Sequence, residues 1–434
     1  MTSLGEPVAI GGLDLRNRLY RAPLLECAGT GPATADRLLE ELEPAAASGA
    51  GLLFQGATIV TEDGGCAAPG MTRVADPDFV ETLAPVPERI GDHGAALFAQ
   101  LEHGGLRSME VWHAGYRREH PELDQLAVSR PPWQLRVADR LGLLSLSPHV
   151  LDTSEVDDLL ERFVDAADAL TAAGYHGLHV AGANMGIVQQ FCSPYYNRRA
   201  DEFGEPERFL EALHDRIRER VGSIPLVTKV PVETARPPFV RRGIDREAGV
   251  DLAVGAAEMG YDAVVPVETS TFWDMSVVRG AFPERAWASE AHADGYDEAF
   301  GSRWRTRLIR AANRLHARSF PAEPAWNASL CAAVRERVDV PVLAEGGIRS
   351  RETIDRLLGE DCDMVGLGRP FYAEPRLPTR LLGSPDSAAV CADCNNCTVP
   401  QVTGAEGICR TPSVLRERRA LAEAGAYDGD AGEE

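Results

Sequence analysis

Lysine is almost absent from this chain of 434 residues. Lys229 is the only lysine, so 43 of the 44 basic residues are arginines, and 66 acidic residues bring the formal net charge to −22. Such an excess of negative charge disfavours binding to nucleic acids, whose backbone is itself anionic, and to anionic membrane surfaces. Because dissolved salt screens the repulsion between surface charges, we interpret this acidic, arginine-rich composition as that of a halophilic protein rather than as an ordinary solubilising surface.

Long apolar runs are missing as well. No segment reaches the ~20 residues of a transmembrane helix, and the N-terminus has no charged and then apolar signal peptide. We therefore expect a soluble, cytoplasmic protein without a membrane partner. The hydrophobic share of 44% is sufficient for a large core, and one elaborated α/β barrel can absorb most of a chain this long.

Disulfide bonds are not expected, although the chain has nine cysteines. Five of them are scattered: Cys27, Cys66, Cys192, Cys331 and Cys362. The other four lie within nineteen residues: Cys391, Cys394, Cys397 and Cys409. In an intracellular chain, clustered cysteines indicate a metal rather than disulfides. Their spacing is compatible with an iron–sulfur cluster or with Zn²⁺ and does not by itself choose between them.

Eight apolar segments are predicted as β-strands, and helical patterns separate most of them. The strands are expected at residues 18–24, 52–60, 95–101, 177–181, 226–230, 263–267, 340–345 and 363–366. This repetition predicts a closed (β/α)8 TIM barrel of the α/β class. A hairpin with Gly11 and Gly12 at its turn precedes the first strand. Two long segments, residues 106–149 and 268–324, are expected as insertions, the first of them a loop over the barrel mouth.

The sequence divides into two parts. Residues 1–385 are predicted to form the barrel, and residues 386–434 a short extension that carries the cysteine cluster and ends in an acidic tail. Because residues 422–434 are mostly small or acidic, we expect them to be disordered.

Glycines follow the last two predicted strands. Gly346 and Gly347 follow the strand at 340–345, and Gly368, with Arg369 next to it, follows the strand at 363–366. Glycines at such positions let backbone N–H groups approach a phosphate closely, and the helix that follows adds a favourable dipole. The loops after the seventh and eighth strands of a (β/α)8 barrel often form a phosphate site. We therefore predict phosphate binding at these turns; tight turns without a ligand are the alternative.

Two polar residues lie in other predicted strands. Gln100 can donate to and accept from a ring that has both functions, such as the pyrimidine edge of a flavin, and a satisfied core amide is the alternative. Lys229 stands inside a buried-strand pattern, where a charge is costly unless it is paired. Its alternative role is a buried ion pair with Glu233 or another acid.

One stretch resembles the signature of a known family. The sequence QQFCSPYYNRRADEFG, residues 189–204, resembles the QFLSPxxNRRxDxYGG signature of the old yellow enzyme family of FMN oxidoreductases. The segments RAPLLE (21–26), AQLEHGG (99–105), GGI (346–348) and GLGRP (366–370) resemble further motifs of that family. The resemblance implies bound FMN, with NAD(P)H as the source of hydride.

The resemblance also implies cofactor contacts for residues of this chain. Pro23 and Leu24 would lie under the flavin ring, and Ala57 near its O4 atom. Gln100 would contact the edge of the ring, and Lys229 would stand beside N1 and O2, where it stabilises the anionic reduced flavin. The implied phosphate ligands are Gly346, Gly347, Gly368 and Arg369.

Departures from the family concern the substrate side. The family usually places His-x-x-His or His-x-x-Asn after the fourth strand to hold a substrate oxygen; the corresponding residues are Ala181 and Asn184. Two positions further, where a tyrosine often protonates the substrate, the chain has Gly186. Asn184 is thus the remaining oxygen-holding candidate, and no proton donor is assigned. His179 shares the strand face of Ala181, so it either reaches into the site or is a core histidine bonded to a neighbour.

The place of the cysteine cluster, just after the last predicted barrel helix, resembles the 2,4-dienoyl-CoA reductase and trimethylamine dehydrogenase branch, which holds a [4Fe–4S] cluster there. The resemblance therefore favours iron over Zn²⁺ and over metal-free thiols. This chain has two residues between its second and third clustered cysteines, where that branch has three, and it has no GxGxxG motif after Cys409. We therefore expect no C-terminal FAD or NAD domain.

Three functions are compatible with these features. The leading hypothesis is an FMN-dependent oxidoreductase that passes hydride from NAD(P)H through the flavin to an unsaturated substrate of the enone or enoyl type. A second is a flavin and iron–sulfur electron-transfer protein that works with a separate redox partner, and a third is a catalytically silent flavin-binding barrel. The substrate, the choice between NADH and NADPH and the existence of a homo-oligomer are left open by the sequence.

Overall fold

The computed structural model describes residues 3–272 and 274–428. At its centre, eight parallel strands, β1 to β8, form one sheet. The strands are Leu19–Arg21, Leu52–Ile59, Ala96–Glu102, Gly177–Val180, Leu226–Val232, Ala263–Glu268, Leu343–Ala344 and Met364–Leu367. They are ordered β6-β5-β4-β3-β2-β1-β8-β7, and a parallel bridge between Val264 and Val342 joins the two end strands. The sheet is thus a nearly closed (β/α)8 barrel, which confirms the predicted fold class.

Helices connect successive strands. They are Thr34–Ala47 after β1, Pro77–Glu81 and Pro85–Asp92 after β2, Thr153–Ala172 after β3, Arg208–Val221 after β4, Arg246–Met259 after β5, Ala328–Arg335 after β6, Arg351–Glu360 after β7, and Arg369–Ala373 with Leu377–Gly383 after β8. Three shorter helical segments, Ile187–Cys192, Glu202–Gly204 and Glu233–Ala235, follow β4 and β5.

The helix Thr153–Ala172 illustrates how the sequence sets these elements. Asp152 accepts a hydrogen bond from the N–H of Glu155, and the Glu155 carboxylate accepts one from the N–H of Asp152. Such a capping box contributes ~1 kcal/mol to helix stability. The apolar face of the helix, which includes Leu160 and Phe163, is buried in the core between the strands and the helices.

Three aromatic rings lie in the barrel interior among aliphatic side chains. Phe54 makes edge-to-face contacts with Tyr20 and with Phe98, with ring centroids 5.5 and 5.7 Å apart. The next residues back along these strands, Leu53 and Leu97, belong to the outer cluster instead. Successive side chains of a strand point to opposite faces. This alternation separates an inner cluster, inside the barrel, from an outer cluster between the strands and the helices.

An antiparallel hairpin, Val8–Ile10 with Leu13–Leu15, precedes the barrel as predicted. Its turn residues Gly11 and Gly12 have φ values of +56° and +80°, a region that glycine adopts without steric cost. Ile10 packs into the inner aromatic cluster. The hairpin therefore covers the interior of the barrel.

Two insertions lie over the carboxyl ends of the strands. After β3 come Gly105–Arg107, Met109–Trp112, Ala114–Glu119, Trp133–Arg140 and the parallel pair Gln125–Ala127 and Pro148–Val150. After β6 come Glu284–Trp287, Glu290–Phe300 and Arg303–Ser319. The insertions contact each other, with the ring centroids of Trp112 and Phe300 6.2 Å apart. The first insertion, predicted as a loop, contains short helical segments that are too short to show a helical period in the sequence.

The C-terminal extension contains the helical segments Val399–Thr403 and Pro412–Glu423. The expected disorder is wrong for residues 422–428, because Tyr427 is buried and its hydroxyl donates to Oε1 of Glu374 at 2.7 Å. Residues 429–434, the rest of the predicted disordered tail, lie outside the described residues. Among the described residues, no helix combines the length and the apolar character needed to pass through a bilayer.

Candidate active site

A cavity of about 890 Å³ lies at the carboxyl ends of the barrel strands. Ten of the residues predicted for the site line it: Pro23, Leu24, Ala57, Gln100, Asn184, Lys229, Gly346, Gly347, Gly368 and Arg369. His179 lies in the barrel core instead and is fully buried. Because parallel barrel strands all end at the same face, residues that are far apart in the sequence surround one space.

The turn after β7 is a tight glycine turn at the cavity wall. Gly346 and Gly347 have φ values of +105° and +68°. A Cβ on Gly347 would lie 2.0 Å from the carbonyl oxygen of Glu323, and one on Gly346 would lie 2.6 Å from the Trp326 ring. Within the described residues, neither glycine N–H donates to a backbone acceptor. The turn therefore carries no side chain and leaves two N–H groups without a backbone acceptor, which is compatible with the predicted phosphate site.

Two arginines stand at this end of the cavity, and one carboxylate lies between them. Oδ2 of Asp393 is 3.0 Å from Nη1 of Arg349, and its Oδ1 is 3.4 Å from Nη2 of Arg369. Arg369 also donates to the side chain of Asn395 and, at 2.8 Å, to the carbonyl of Arg279. Asp393 and Asn395 belong to the segment that carries the clustered cysteines. This segment is therefore joined directly to the end of the cavity that Gly346 and Gly347 line.

Gln100 reaches the cavity from β3, and His179 holds it from β4. Nε2 of Gln100 lies 3.0 Å from Nδ1 of His179, and the His179 ring packs on Phe54 with centroids 4.6 Å apart. The pKa of His179 is well below its ordinary value, because burial disfavours the charged ring and Lys229 adds repulsion. This geometry favours the second of the two roles considered for His179, a core histidine bonded to a neighbour.

Lys229 is paired with an acid that the sequence did not single out. Its Nζ lies 2.6 Å from Oε2 of Glu345, and the side chains are 6% and 12% exposed. Oε1 of Glu345 is buried without a hydrogen-bond partner among the described residues. Glu233, the partner considered from the sequence, instead accepts hydrogen bonds from Gln189 and Ser193 at 2.9 and 2.8 Å. Lys229 and Glu345 thus bring a buried ion pair to the cavity wall.

An irregularity in β2 brings Ala57 to the cavity. The register between β2 and β3 shifts between Gln55 and Thr58, as at a β-bulge, which re-aims the residues it contains. A Cβ on Gly56 would lie only 1.3 Å from the carbonyl oxygen of Leu24, so only glycine allows this close approach. Ala57 and Leu24 consequently line the cavity next to each other.

Asn184 lies on a strained turn after β4. Asn184 and the following Met185 have φ values of +71° and +65°, and each residue held in that region costs about 1–3 kcal/mol. Gln189 accepts from the N–H of Met185 at 2.6 Å, and Gln190 donates to its carbonyl at 2.8 Å. The first two residues of the stretch 189–204 therefore hold the turn that presents Asn184 to the cavity. Met185, which no motif singled out, also lines the cavity.

The four clustered cysteines line one small pocket. Asp393 and Asn395 line both this pocket and the large cavity. The Sγ atom of Cys394 lies 3.0 Å from Oγ1 of Thr411. In the part of the chain that the structure describes, no group of three or more Cys, His, Asp or Glu side chains is spaced to hold a metal ion. The donor set suits iron or zinc, but the metal cluster stays a prediction.

The fold and the site together define a class of protein. The chain is a (β/α)8 barrel whose strand ends surround a cavity lined by the side-chain amide of Gln100, the paired Lys229 and a glycine turn after β7. Residues 3–242 match the NADH:flavin oxidoreductase / NADH oxidase family. Because this match covers more than half of the chain, the protein belongs to that family, which confirms the family that the sequence motifs indicate.

Individual relatives agree with this assignment. The NADH oxidase of Thermoanaerobacter brockii is 24% identical, over 92% of this chain and 56% of the relative. The cinnamate reductase of Clostridium sporogenes is 23% identical, over 90% of this chain and 54% of the relative. The chain thus spans about half the length of these curated relatives. A solved structure, the old yellow enzyme homologue from Zymomonas mobilis, superposes with a TM-score of 0.62 at 18% identity, over 96% of this chain and 99% of that one.

Proposed function

We propose that this protein is an FMN-dependent oxidoreductase that passes hydride from NAD(P)H, through the flavin, to an unsaturated substrate of the enone or enoyl type. The observation that carries the proposal is the convergence of Gln100, Lys229 and the glycine turns after β7 and β8 around one cavity. FMN joins a phosphate to a flat ring with donors and acceptors along one edge, and the cavity offers groups that match both. Membership of the family and a relative named cinnamate reductase support this reading.

The residues present fit FMN at its phosphate end. Gly346, Gly347 and Arg369 would hold the phosphate. The carboxylate of Asp393 neutralises part of the positive charge of Arg349 and Arg369, but it is one negative charge facing two positive charges. A net positive charge is therefore left for the phosphate. When bound, FMN would supply the hydride chemistry, and the protein would supply its position and charge environment.

The residues at the ring end have separable tasks. Lys229 would place its charge where negative charge develops on reduction, and such preorganised charge is a main source of rate enhancement. Glu345 would offset part of that charge. Gln100, oriented by His179, would bond the ring edge. Asn184 would hold an oxygen of the substrate.

The charges in the outer part of the cavity are an argument for a substrate with an anionic group. Arg117 and Arg305, one from each insertion, line it. Burial lowers the pKa of Arg117, and the nearby charge of Arg305 lowers it further. Nε of Arg117 is buried without a partner among the described residues. Two neighbouring cations are stabilised by an anion between or beside them, so an unsaturated acid or acyl-type substrate suits this end.

One observation favours a second candidate, a flavin and iron–sulfur protein that exchanges electrons with a partner. The cysteine pocket shares Asp393 and Asn395 with the cavity. We propose that this pocket holds a [4Fe–4S] cluster, with Zn²⁺ as the alternative, as in the dienoyl-CoA reductase branch. The ligands would be Cys391, Cys394, Cys397 and Cys409. A silent flavin-binding barrel is the third candidate.

A cofactor analysis followed by turnover assays tests the proposal. The visible spectrum should show flavin, and the cofactor released by heat should be FMN; FAD, or no flavin, would refute it. Under anaerobic conditions, consumption of NADH or NADPH in the presence of 2-cyclohexenone or cinnamate is expected from the first candidate. Reduction by ferredoxin alone would point to the second candidate, and no turnover with any of these would point to the third.

A further inference from the structure

Saturating a double bond requires a proton as well as a hydride, and the sequence assigns no donor for it. We propose that Glu102 is the catalytic residue that supplies this proton, from its carboxyl group to a carbon of the substrate's double bond. The proposal rests on the function proposed above and adds a residue that the family motifs do not mark.

The position of Glu102 suits this role. It is the last residue of β3 and stands two residues after Gln100, so both side chains lie on the same face of the strand. Both line the cavity. A Cβ on Gly186 would lie 3.3 Å from Oε1 of Glu102. The carboxyl group is therefore beside the very position where the family usually has its tyrosine, and the turn that carries Asn184 leads directly to it.

The protonation of Glu102 also suits a donor. The side chain is buried, and burial raises the pKa of its carboxyl group, with Arg107 and Lys229 opposing the shift. A raised pKa keeps the proton on the carboxyl group closer to neutral pH, where general acids work best. Nη1 of Arg107 lies 3.3 Å from Oε1 and would stabilise the carboxylate that remains after transfer.

The step balances without an added reactant. The nicotinamide supplies the electron pair as hydride, which ends on one carbon of the double bond. The O–H bond of Glu102 breaks while a C–H bond forms at the neighbouring carbon, whose electron pair takes up the proton. Glu102 is left as a carboxylate and regains a proton from water that enters the cavity.

The other groups of the cavity that could donate a proton either have partners of their own or lie away from the strand ends. Glu345 is paired with Lys229 at 2.6 Å, and Asp393 lies between two arginines. The hydroxyl of Tyr372 donates to the carbonyl of Leu25 at 2.9 Å, and burial raises its pKa well above the ordinary value. Two further groups, Asp274 and His316, lie in the insertion after β6 and not at a strand end.

The test separates the two half-reactions of the holoenzyme. Wild type and Glu102→Gln are reduced anaerobically with NADH or NADPH and then mixed in a stopped-flow instrument with 2-cyclohexenone or with dioxygen. Since reoxidation by dioxygen needs no proton transfer to carbon, the ratio of the two rates isolates the proposed step. Glu102→Gln should lower that ratio on the order of 100-fold or more, the usual contribution of a general acid. Glu102→Asp, which keeps a carboxyl group, should recover part of the loss.

The pH dependence gives a second readout. In wild type, the rate with the enone should fall as the pH rises through the raised pKa of Glu102, because only the protonated form donates; in Glu102→Gln this fall should vanish. An unchanged ratio in Glu102→Gln, in a variant whose flavin spectrum shows that it is folded, overturns the assignment. A wild type that binds flavin but is reoxidised by no unsaturated probe refutes the proposed function itself, and the role of Glu102 with it.

Discussion

Replacing Lys229 alone should destabilise the protein more than replacing Lys229 and Glu345 together. The two side chains are 6% and 12% exposed and 2.6 Å apart. Removing one partner of a buried pair leaves the other charge uncompensated, at a cost of about 3–5 kcal/mol. Glu345 borders the cavity, so we expect Lys229→Met to lose about 3 kcal/mol, the lower end of that range. Adding Glu345→Gln removes the uncompensated charge and should recover most of the lost stability.

Urea unfolding of the flavin-free protein measures this difference. Wild type, the two single variants and the double variant form a cycle that isolates the interaction between the two side chains. A loss of about 3 kcal/mol corresponds to a melting temperature lower by roughly 5–10 °C in a large chain. If Lys229→Met and the double variant were equally unstable, the ion pair would not be the source of the effect, and the reasoning would be refuted.

The same variants report on the role of Lys229 towards the cofactor. Loss of a preorganised charge beside the developing anion costs about 2–4 kcal/mol, which corresponds to flavin reduction slowed by roughly 30- to 1,000-fold. Glu345→Gln keeps the lysine and removes the opposing charge, so it should not slow reduction and serves as the matched control. Reduction at the wild-type rate in Lys229→Met would place the flavin elsewhere in the cavity.

Three further variants test other parts of the site. Gly347→Ala should abolish FMN binding in a flavin-fluorescence titration, because its Cβ would meet the carbonyl of Glu323, while Gly359→Ala, whose Cβ would meet nothing within 4 Å, should bind normally. Arg305→Gln should raise the KM for cinnamate about fivefold but leave that for uncharged 2-cyclohexenone unchanged, since one charge–charge contact is worth about 1 kcal/mol; equal effects on both substrates would exclude an anion contact. Cys394→Ser should remove about four iron and four sulfide per chain from anaerobically purified protein; one zinc without sulfide in the wild type would replace the cluster by a structural metal.

The barrel could be predicted because its strands are short apolar runs between amphipathic helices, a pattern that follows from burial alone. The lengths of the strands could not be predicted. Residues 340–345 are predicted as one strand, yet β7 comprises only Leu343–Ala344, with Val342 in an isolated bridge to Val264. Pairing depends on the neighbouring strands, which are distant in sequence. The helices of the first insertion escaped prediction for a related reason, since Met109–Trp112 spans barely one turn.

In the candidate site, too, some features could be predicted from the sequence and others could not. The glycine turns and Gln100 could be placed at the cavity because position along a strand decides which residues reach the barrel mouth. The partner of Lys229 could not, since Glu345 lies 116 positions away and any of several acids was compatible with the sequence. His179 shows most clearly what the sequence could not predict. Its strand face was correct, but its depth in the barrel, where it bonds Gln100 rather than facing the cavity, depends on how the strands are staggered.

The cysteine segment is tied to the barrel by the residues between its cysteines. Asp393 and Asn395 are buried and have φ values of +47° and +56°, a conformation that non-glycine residues rarely adopt. Their bonds to Arg349 and Arg369 offset that strain, and Nδ2 of Asn395 also donates to the carbonyl of Val278 at 3.0 Å. The extension that the sequence predicts from residue 386 onwards thus contributes Asp393 and Asn395 to the wall of the cavity. Arg369 lines both the cysteine pocket and the cavity, so a group bound in either would lie beside the same guanidinium group.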